Sequence, residues 1–384
     1  MVGRNLFVVL CGLWAAAAGT AALAQSRPAA KAETLVVVIA GASTGVAEGS
    51  DILMGASFAI EDINASGGLL GTKLRPLIAD TMLDQGAIRS QARDLAAMGP
   101  AAIFGEGFSM AVLESSPVYA RAGIVQITPT AINGKISQQG FGTLFRTVGL
   151  AEPQLTTALG FLHADLKARK IAVLTDASAA ELDFFSNRLR AWGDADPLVK
   201  SIRVRSQRDF ADVVESLKEN RVDAVFLDLL GPEAGMIIRQ ARDHGFQGQF
   251  VGGSAIEETQ FLDFAGSFAE GVVFFGSALP WDQPQFQAMA EKWQQQGTLP
   301  SIQVFATYAA VQVWAEAVRQ AGSFEGRKVA EALHKGEFDS VIGKVSFDPK
   351  GDLLGPASGW TAYVWRGGEY APWHPPQDPG SSRR

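Results

Sequence analysis

The stretch Val36-Val-Val-Ile-Ala-Gly-Ala-Ser-Thr-Gly45 reads as a strand that runs into a glycine-rich turn. Its apolar residues follow one another without alternation, which is typical of a strand buried on both faces of a parallel sheet. The turn fits three kinds of protein: a hydrolase that uses Ser43 as the nucleophile of a G-x-S-x-G motif, a dinucleotide-binding protein, or a binding protein with a ligand-facing loop. The rest of the chain has to decide between them.

Composition indicates a folded protein of two lobes. The chain has 384 residues, of which 47% are hydrophobic and 19% are charged. A chain of this length exceeds the size at which one hydrophobic core keeps growing, so two lobes of ordinary domain size are expected. The formal net charge of −7 argues against a nucleic acid partner, because an acidic protein repels the phosphate backbone.

The first 24 residues have the pattern of a cleavable signal peptide. Arg4 supplies a positive charge, an apolar run follows from Leu6 to Ala18, and Ala22-Leu-Ala24 places small residues at a cleavage site. We therefore expect export and cleavage before Gln25. The single cysteine, Cys11, leaves with this segment, so the mature chain has no disulfide.

Strand and helix patterns alternate in two series along the mature chain. The first series runs from Thr34 to Arg121 and the second from Gln154 to Phe275, before a helical block and a β-rich end. Such alternation predicts α/β architecture with mostly parallel sheets that carry helices on both faces. The first helix is predicted over Asp51 to Ala65, and residues 375–384 read as a loose tail.

The pattern does not favour an enzyme. A nucleophile elbow at Ser43 needs a helix directly after the turn and an oxyanion donor from an earlier loop, but this strand is the first of the mature chain. The spacing of Gly41, Gly45 and Gly49 does not match G-x-G-x-x-G. The histidines stand far apart without metal-binding spacing. We therefore expect no catalytic residues, no metal and no cofactor.

Two loops at the predicted carboxyl ends of strands are candidates for binding. In such sheets ligands lie at this edge. Gly105-Glu-Gly-Phe-Ser109 leads into a helix, so Ser109 could offer its hydroxyl and first-turn N–H groups to a small anion, or could serve only as an N-cap. Thr128-Pro-Thr-Ala-Ile-Asn133 is short and polar, and it could face the same cleft or be an ordinary connection.

Several motifs, in order over residues 34–366, resemble the periplasmic branched-chain amino acid binding proteins, the leucine-binding family of ABC importers. The first are Gly55-Ala-Ser-Phe-Ala-Ile-Glu-Asp-Ile-Asn-Ala-Ser-Gly-Gly-Leu-Leu-Gly71 and Leu77-Ile-Ala-Asp80. The others are Arg146-Thr-Val-Gly149, Ile238-Arg-Gln-Ala-Arg242, Thr307-Tyr-Ala-Ala-Val-Gln312 and Ile342-Gly-Lys-Val-Ser-Phe-Asp-Pro-Lys-Gly-Asp352.

The resemblance implies the type I periplasmic binding fold, in which two doubly wound, Rossmann-like lobes close on a ligand by hinge motion. Three crossovers would join the lobes near Gly149, Pro280 and Ile342. Lobe 1 would comprise residues 34–149 plus 281–341, and lobe 2 would comprise residues 150–280 plus 342–374. The loop that contains Ser43 would then be the first loop of the cleft, with hydroxyls for hydrogen bonding.

The resemblance also implies a set of ligand contacts. By position, Ser109 matches the serine that holds the ligand carboxylate, and Ala131 matches an alanine whose backbone helps to hold the ligand. Thr130 lies in the same loop, and Ile132 stands where the family usually has a threonine.

The second lobe departs from the family pattern. Ala180 replaces a tyrosine, an aromatic residue is missing around Leu230, and Ser254 stands near the expected glutamate. Because a buried ammonium without a partner is costly, we expect a ligand that can lack an amino group. Glu257, Asp176 and Glu48 could substitute, although each has the sequence setting of a solvated loop charge.

The sequence thus predicts a monomeric periplasmic protein that captures a small amino acid-like, carboxylate or aromatic acid ligand and delivers it to an ABC permease of the inner membrane. Two alternatives stay open. One is a sensory or accessory binding protein that is not coupled to an importer, and the other is an exported serine hydrolase that uses Ser43.

Overall fold

The structure is a computed structural model that describes residues 33–40, 47–80, 82, 84–175, 185–187, 189–191, 198–201, 210–295 and 301–375. Two β-sheets with helices on their faces form two lobes, which confirms the predicted α/β class. Among the described helices, none combines the length and the hydropathy that crossing a membrane requires.

The first lobe contains a five-stranded parallel sheet in the order β2-β1-β3-β4-β5. Its strands are β1 (Glu33–Ala40), β2 (Lys73–Asp80), β3 (Ala102–Gly105), β4 (Val125–Thr128) and β5 (Leu144–Arg146). Between them lie α1 (Ala47–Ala65), α2 (Gln85–Ala97), α3 (Ser109–Ala122) and α4 (Lys135–Gln138). Helix α1 begins four residues before the predicted Asp51.

Strand β1 shows why the continuous apolar run is needed. Val36 and Val38 pack with α1 in one core cluster, whereas Val37 and Ile39 pack with α2 and α3 in another. Successive side chains of a strand point to opposite faces, so a strand covered by helices on both sides has no polar position.

The second lobe contains a seven-stranded sheet in the order β15-β14-β10-β9-β8-β6-β7. Its strands are β6 (Ile171–Thr175), β7 (Leu198–Ser201), β8 (Ala224–Asp228), β9 (Gln249–Gly252), β10 (Val273–Ser277), β14 (Trp360–Arg366) and β15 (Glu369–Pro372). The described helices of this lobe are α5 (Ala151–Ala164), α6 (Ala211–Glu219), α7 (Gly231–Asp243) and α8 (Thr259–Ala265). Strands β14 and β15 are antiparallel, and they extend the sheet on one side.

Three helices return the chain to the first lobe. They are α9 (Pro284–Gln295), α10 (Ile302–Ala321) and α11 (Gly326–Lys335), and α10 lies in the first core together with α1. A small antiparallel sheet of β11 (Phe338–Ser340), β12 (Gly343–Phe347) and β13 (Leu353–Leu354) follows.

The small sheet belongs to the first lobe by its packing. We expected the third crossover near Ile342, but Ile342, Val345, Phe347 and Leu353 all lie in the core cluster of the first lobe. Their side chains cover apolar residues of that lobe, so the chain leaves it later than the motif suggested. We therefore place the third crossover at residues 355–359.

The three connections between the lobes run side by side. Trp360 Nε1 donates a hydrogen bond to the Leu150 carbonyl oxygen at 3.0 Å, and the Ala278 N–H donates to the Gly359 carbonyl oxygen at 3.0 Å. A Cβ atom on Gly149 would overlap the Ser358 carbonyl oxygen, so a larger residue there would push two connections apart. Adjacent connections of this kind let two lobes move as rigid bodies about one hinge.

Candidate functional site

Ser109 is the first residue of α3, at the carboxyl end of β3. The N-cap position is Phe108, so Ser109 is not the N-cap that sequence analysis left as an alternative. Its half-buried Oγ accepts a hydrogen bond from the Asn133 N–H at 3.3 Å. In the described part of the chain, no side chain caps this helix, and its first turn contains no acidic residue. The helix start can therefore accept an anion.

The loop after β4 is tied to the loop after β3. Thr130 Oγ1 donates to the Gly107 carbonyl oxygen at 3.0 Å. Thr128 Oγ1 donates to the Glu106 carbonyl oxygen at 3.2 Å and accepts from the Ala131 N–H at 3.3 Å. These bonds bring the loops that carry Ser109 and Ala131 together.

Ile132 lies on the side of this loop that faces the second lobe. Its half-buried side chain packs against the cluster that contains α5, and its carbonyl oxygen accepts from the Ala151 N–H at 3.0 Å. An apolar residue thus occupies a place beside the first connection between the lobes.

Arg146 anchors the loop that contains Ala131 and Asn133. Its Nη1 donates to the Ala131 carbonyl oxygen at 2.8 Å, and its Nη2 donates to the Asn133 carbonyl oxygen at 3.3 Å. Its Nε forms an ion pair with Asp352 Oδ1 at 2.6 Å. Burial lowers the pKa of Arg146, and the adjacent Asp352 opposes that effect. Both residues lie in sequence motifs that resemble the family, but the motifs did not indicate this role.

A cavity of about 20 Å³ lies between the lobes. Thr130 lines it from the first lobe, and Ser254 and Glu257 line it from the second. The remaining lining residues are Pro129, Val148, Ser277, Ile302, Gln303 and Ala306. The Gln303 Oε1 atom is buried and has no hydrogen-bond partner among the described residues. Three of the predicted site residues therefore meet at one place in the cleft.

Glu257 is buried, which corrects the expectation of a solvated loop charge. It ends the 3-10 turn Ser254–Glu257, is 4% exposed, and accepts hydrogen bonds at Oε1 from the Ile302 N–H (2.6 Å) and the Tyr370 hydroxyl (3.0 Å). Burial, and secondarily Asp51, raises its pKa to about 8. Glu257 therefore holds a proton at neutral pH, and no local sequence signal could show this.

Two further acids stand near Glu257. Burial raises the pKa of Asp51 on α1 to about 6, although the Ser301 hydroxyl, which donates to it at 2.7 Å, opposes the shift. Burial, Asp51 and Glu233 raise the pKa of Glu258 to about 7. Because burial raises the pKa values of all three acids, the region is less negative at neutral pH than its sequence suggests.

Glu106 forms a buried polar cluster behind the Ser109 loop. Its Oε2 accepts hydrogen bonds from the Ser115 hydroxyl and from Gln126 Nε2, the latter at 3.2 Å. Burial raises the pKa of Glu106 to about 8, and the hydrogen bonds from Ser115 and Gln126 lower it. The sequence of the Gly105–Ser109 loop gives no signal that Glu106 is buried.

The other predicted site residues lie elsewhere. Leu230 is the N-cap of α7 and is 45% exposed, and it does not line the cavity. Ser43 and Asp176, together with Ala180, lie outside the described residues. Glu48 lies in α1, and only its backbone is described. Within the described ranges, no group of three or more His, Cys, Asp or Glu residues could hold a metal ion.

Comparisons with known proteins point to one family. The family model "Periplasmic binding protein" matches residues 16–368. The Leu/Ile/Val-binding protein homolog 1 of Brucella suis biovar 1 (strain 1330) is 34% identical over 324 residues, which cover 83% of this chain and 86% of that protein.

Solved structures show the same fold. The branched-chain amino acid transporter substrate-binding protein LivJ of Streptococcus pneumoniae, solved with isoleucine, matches with a TM-score of 0.79 and 21% identity, over 88% of this chain and 98% of that chain. A solute-binding protein of an ABC transporter from R. palustris, solved with benzoate, matches with a TM-score of 0.74 and 15% identity, over 88% and 94%. The match of the family model to most of the chain, and a relative above 30% identity, establish that this chain belongs to the periplasmic binding protein family.

Proposed function

We propose that this solute-binding protein of an ABC importer captures a small organic acid in its cleft, with the ligand carboxylate at Ser109. The observation that carries the proposal is the uncapped start of α3, whose first-turn N–H groups and Ser109 hydroxyl adjoin the Thr130–Ala131 loop. A helix N-terminus favours a negative charge, and a hydroxyl beside it adds a directed hydrogen bond. The family binds solutes and is not enzymatic, so Ser43 needs no nucleophilic role.

The ligand does not require an amino group. Ser254 stands near the position of the family glutamate, and a serine hydroxyl cannot neutralise an ammonium. The carboxyl group of Glu257 lies on the cavity, but its Oε1 already accepts hydrogen bonds from Ile302 and Tyr370. An ammonium desolvated in the cleft would need a charged partner, whereas a methylene group would not.

A matched pair of ligands tests the proposal. Leucine and 4-methylpentanoate have the same carbon skeleton and carboxylate, and only leucine has an ammonium group. We expect residues 25–384 to bind 4-methylpentanoate or benzoate at least as tightly as leucine, as measured by titration calorimetry and by the rise in melting temperature. Tight binding of leucine with no binding of either acid would refute the proposal about the ligand.

The role of Ser109 has its own test. A hydrogen bond to a charged group contributes about 1.5–3 kcal/mol, so we expect Ser109→Ala to weaken the binding of 4-methylpentanoate by about 10–100-fold. Ser267→Ala, which changes an exposed serine of the second lobe, serves as the control and should bind like the wild type. Equal affinities for the two variants would contradict the assignment.

The cellular role follows from the family. Members act in the periplasm and deliver ligand to a membrane permease, and the relatives include amino acid transport proteins. We further infer that residues 1–24 are removed during export and that the mature protein is monomeric. Intact mass of the periplasmic protein should place its first residue at Gln25, and light scattering should give the mass of one chain.

A further inference from the structure

Glu106 occupies an unusual position behind the ligand loops. It is 2% exposed, and its φ of +59° lies in the left-handed region, which residues with a Cβ atom adopt at a cost. Its backbone is held at both ends. Its N–H donates to the Ile39 carbonyl oxygen at 3.2 Å, and its carbonyl oxygen accepts from the Thr128 hydroxyl at 3.2 Å. Tertiary contacts therefore keep this residue in its conformation.

The side chain of Glu106 joins two elements that carry the proposed site. Ser115, which donates to the carboxyl group, lies on α3, the helix that Ser109 begins. Gln126, the second donor, lies on β4, and it also donates to Ser115 Oγ at 3.2 Å. The carboxyl group therefore adds a second link between α3 and β4 beside the direct Gln126–Ser115 hydrogen bond, and it helps to set the spacing between Ser109 and Ala131.

The surroundings of this carboxyl group are uncharged. Ser115 on α3 and Gln126 and Thr128 on β4 are neutral, and the titratable group that faces Glu106 is Tyr119 on α3. Over the described ranges, no Lys or Arg forms an ion pair with Glu106. A carboxyl group buried without a cation is more stable with its proton than without it.

We propose that Glu106 is a positioning residue of the ligand site, whose uncharged carboxyl group sets the spacing of the Ser109 and Ala131 loops, so that the loss of its proton weakens ligand binding. This inference rests on the proposed function. Ionisation would place an unpaired negative charge behind the loops, which would both disturb their packing and repel an anionic ligand.

The direction of the pH effect follows from the group's environment. Burial raises the pKa of Glu106 to about 8, so the group is neutral at pH 6.5 and ionised at pH 9.5. The pKa of Tyr119 is raised well above its usual value by burial and by Glu106, so Tyr119 does not ionise in this range. Binding should therefore be strong below pH 8 and weaker above it.

Hydrogen exchange tests the positioning role without any ligand. Glu106→Gln keeps a neutral group of the same shape that bonds to Ser115, whereas Glu106→Ala removes it. Comparing variants at the same pH cancels the pH dependence of the chemical exchange rate. At pH 9.5 we expect segments 105–112 and 128–135 to exchange at least tenfold faster in the wild type than in Glu106→Gln, with no difference at pH 6.5.

Two further variants complete the exchange test. Glu106→Ala should exchange fast in both segments at both pH values, because the link through the carboxyl group is gone and only the Gln126–Ser115 hydrogen bond still joins α3 to β4. Glu61→Gln, which changes an exposed acid of α1, should behave like the wild type. Equal exchange in the wild type and Glu106→Gln at pH 9.5 would overturn the proposal.

Binding provides the second readout. The probe is 4-methylpentanoate, because it has no group that titrates between pH 6.5 and pH 9.5. Glu257, which lines the cavity, also ionises over this range, so the test compares the two proteins with each other. We expect the affinity of the wild type to fall at least tenfold more than that of Glu106→Gln. A parallel fall in both proteins would overturn the proposal. If the acid binds neither protein, the proposed ligand class is wrong, and the exchange result still decides the role of Glu106.

Discussion

Replacement of Asp352 by asparagine should destabilise the first lobe strongly. Asp352 lies in the connection between β12 and β13. Arg146 is 1% exposed, and its Nε lies 2.6 Å from Asp352 Oδ1. The substitution Asp352→Asn would keep the shape and one oxygen of the side chain but would remove the negative charge. The guanidinium would then be a buried cation that has lost its paired carboxylate, with Asp348 as the remaining nearby negative charge.

The structure gives the magnitude. The side chains of Arg146 and Asp352 are 2% and 11% exposed, so solvent screens the pair only slightly. Removing one partner of a buried ion pair costs about 3–5 kcal/mol, because the other charge stays desolvated. We therefore expect the free energy of unfolding to fall by about 3 kcal/mol or more. Binding should also weaken, because Arg146 holds the Ala131 carbonyl oxygen.

Urea unfolding, followed by both far-UV circular dichroism and tryptophan fluorescence, measures the change. Glu331→Gln is the matched control, since Glu331 pairs with Lys335 at 2.6 Å on the exposed surface of α11. Exposed pairs of this kind contribute little, so the control should unfold like the wild type. If Asp352→Asn is no less stable than Glu331→Gln, the buried charge does not have the importance that we assign to it.

Two further predictions concern backbone strain and pH. Gly105 has a φ of +113°, and a Cβ atom there would overlap the Ile39 carbonyl oxygen, so Gly105→Ala should cost at least about 1–3 kcal/mol in urea unfolding. Gly160 lies in a helix where a Cβ atom would meet no other atom, so Gly160→Ala should instead stabilise the protein by about 0.4–1 kcal/mol. Equal changes in stability for the two alanine variants would refute the strain argument. Glu257 has a pKa of about 8 against an ordinary 4.5, so the wild type loses stability as pH rises from about 5 to 8. Glu257→Gln should avoid this loss, so its free energy of unfolding should rise by about 2 kcal/mol relative to the wild type between pH 5 and pH 7. Thermal unfolding measures this, and parallel pH profiles of the two proteins would contradict the prediction.

The elements of the fold could be predicted from local patterns. The unbroken apolar run of β1 predicts a strand covered on both faces, and Val36 to Ile39 pack in two different clusters. The motifs identified the family, which the comparisons established. Position in the family pattern also named Ser109 and Ala131, and the structure places their loops in contact through Asn133 and Thr128.

The sequence by itself therefore determined the elements, the two-lobed class and the family, because the periodicity of apolar residues is a local property of the chain. Tertiary structure alone decided which polar groups lose their water. Glu257 resembled a solvated loop charge until Tyr370, 113 residues later, and the start of α10 closed over it. Glu106 and Arg146 likewise acquire their roles only through distant partners, because desolvation depends on what packs around a group and not on its neighbours in sequence.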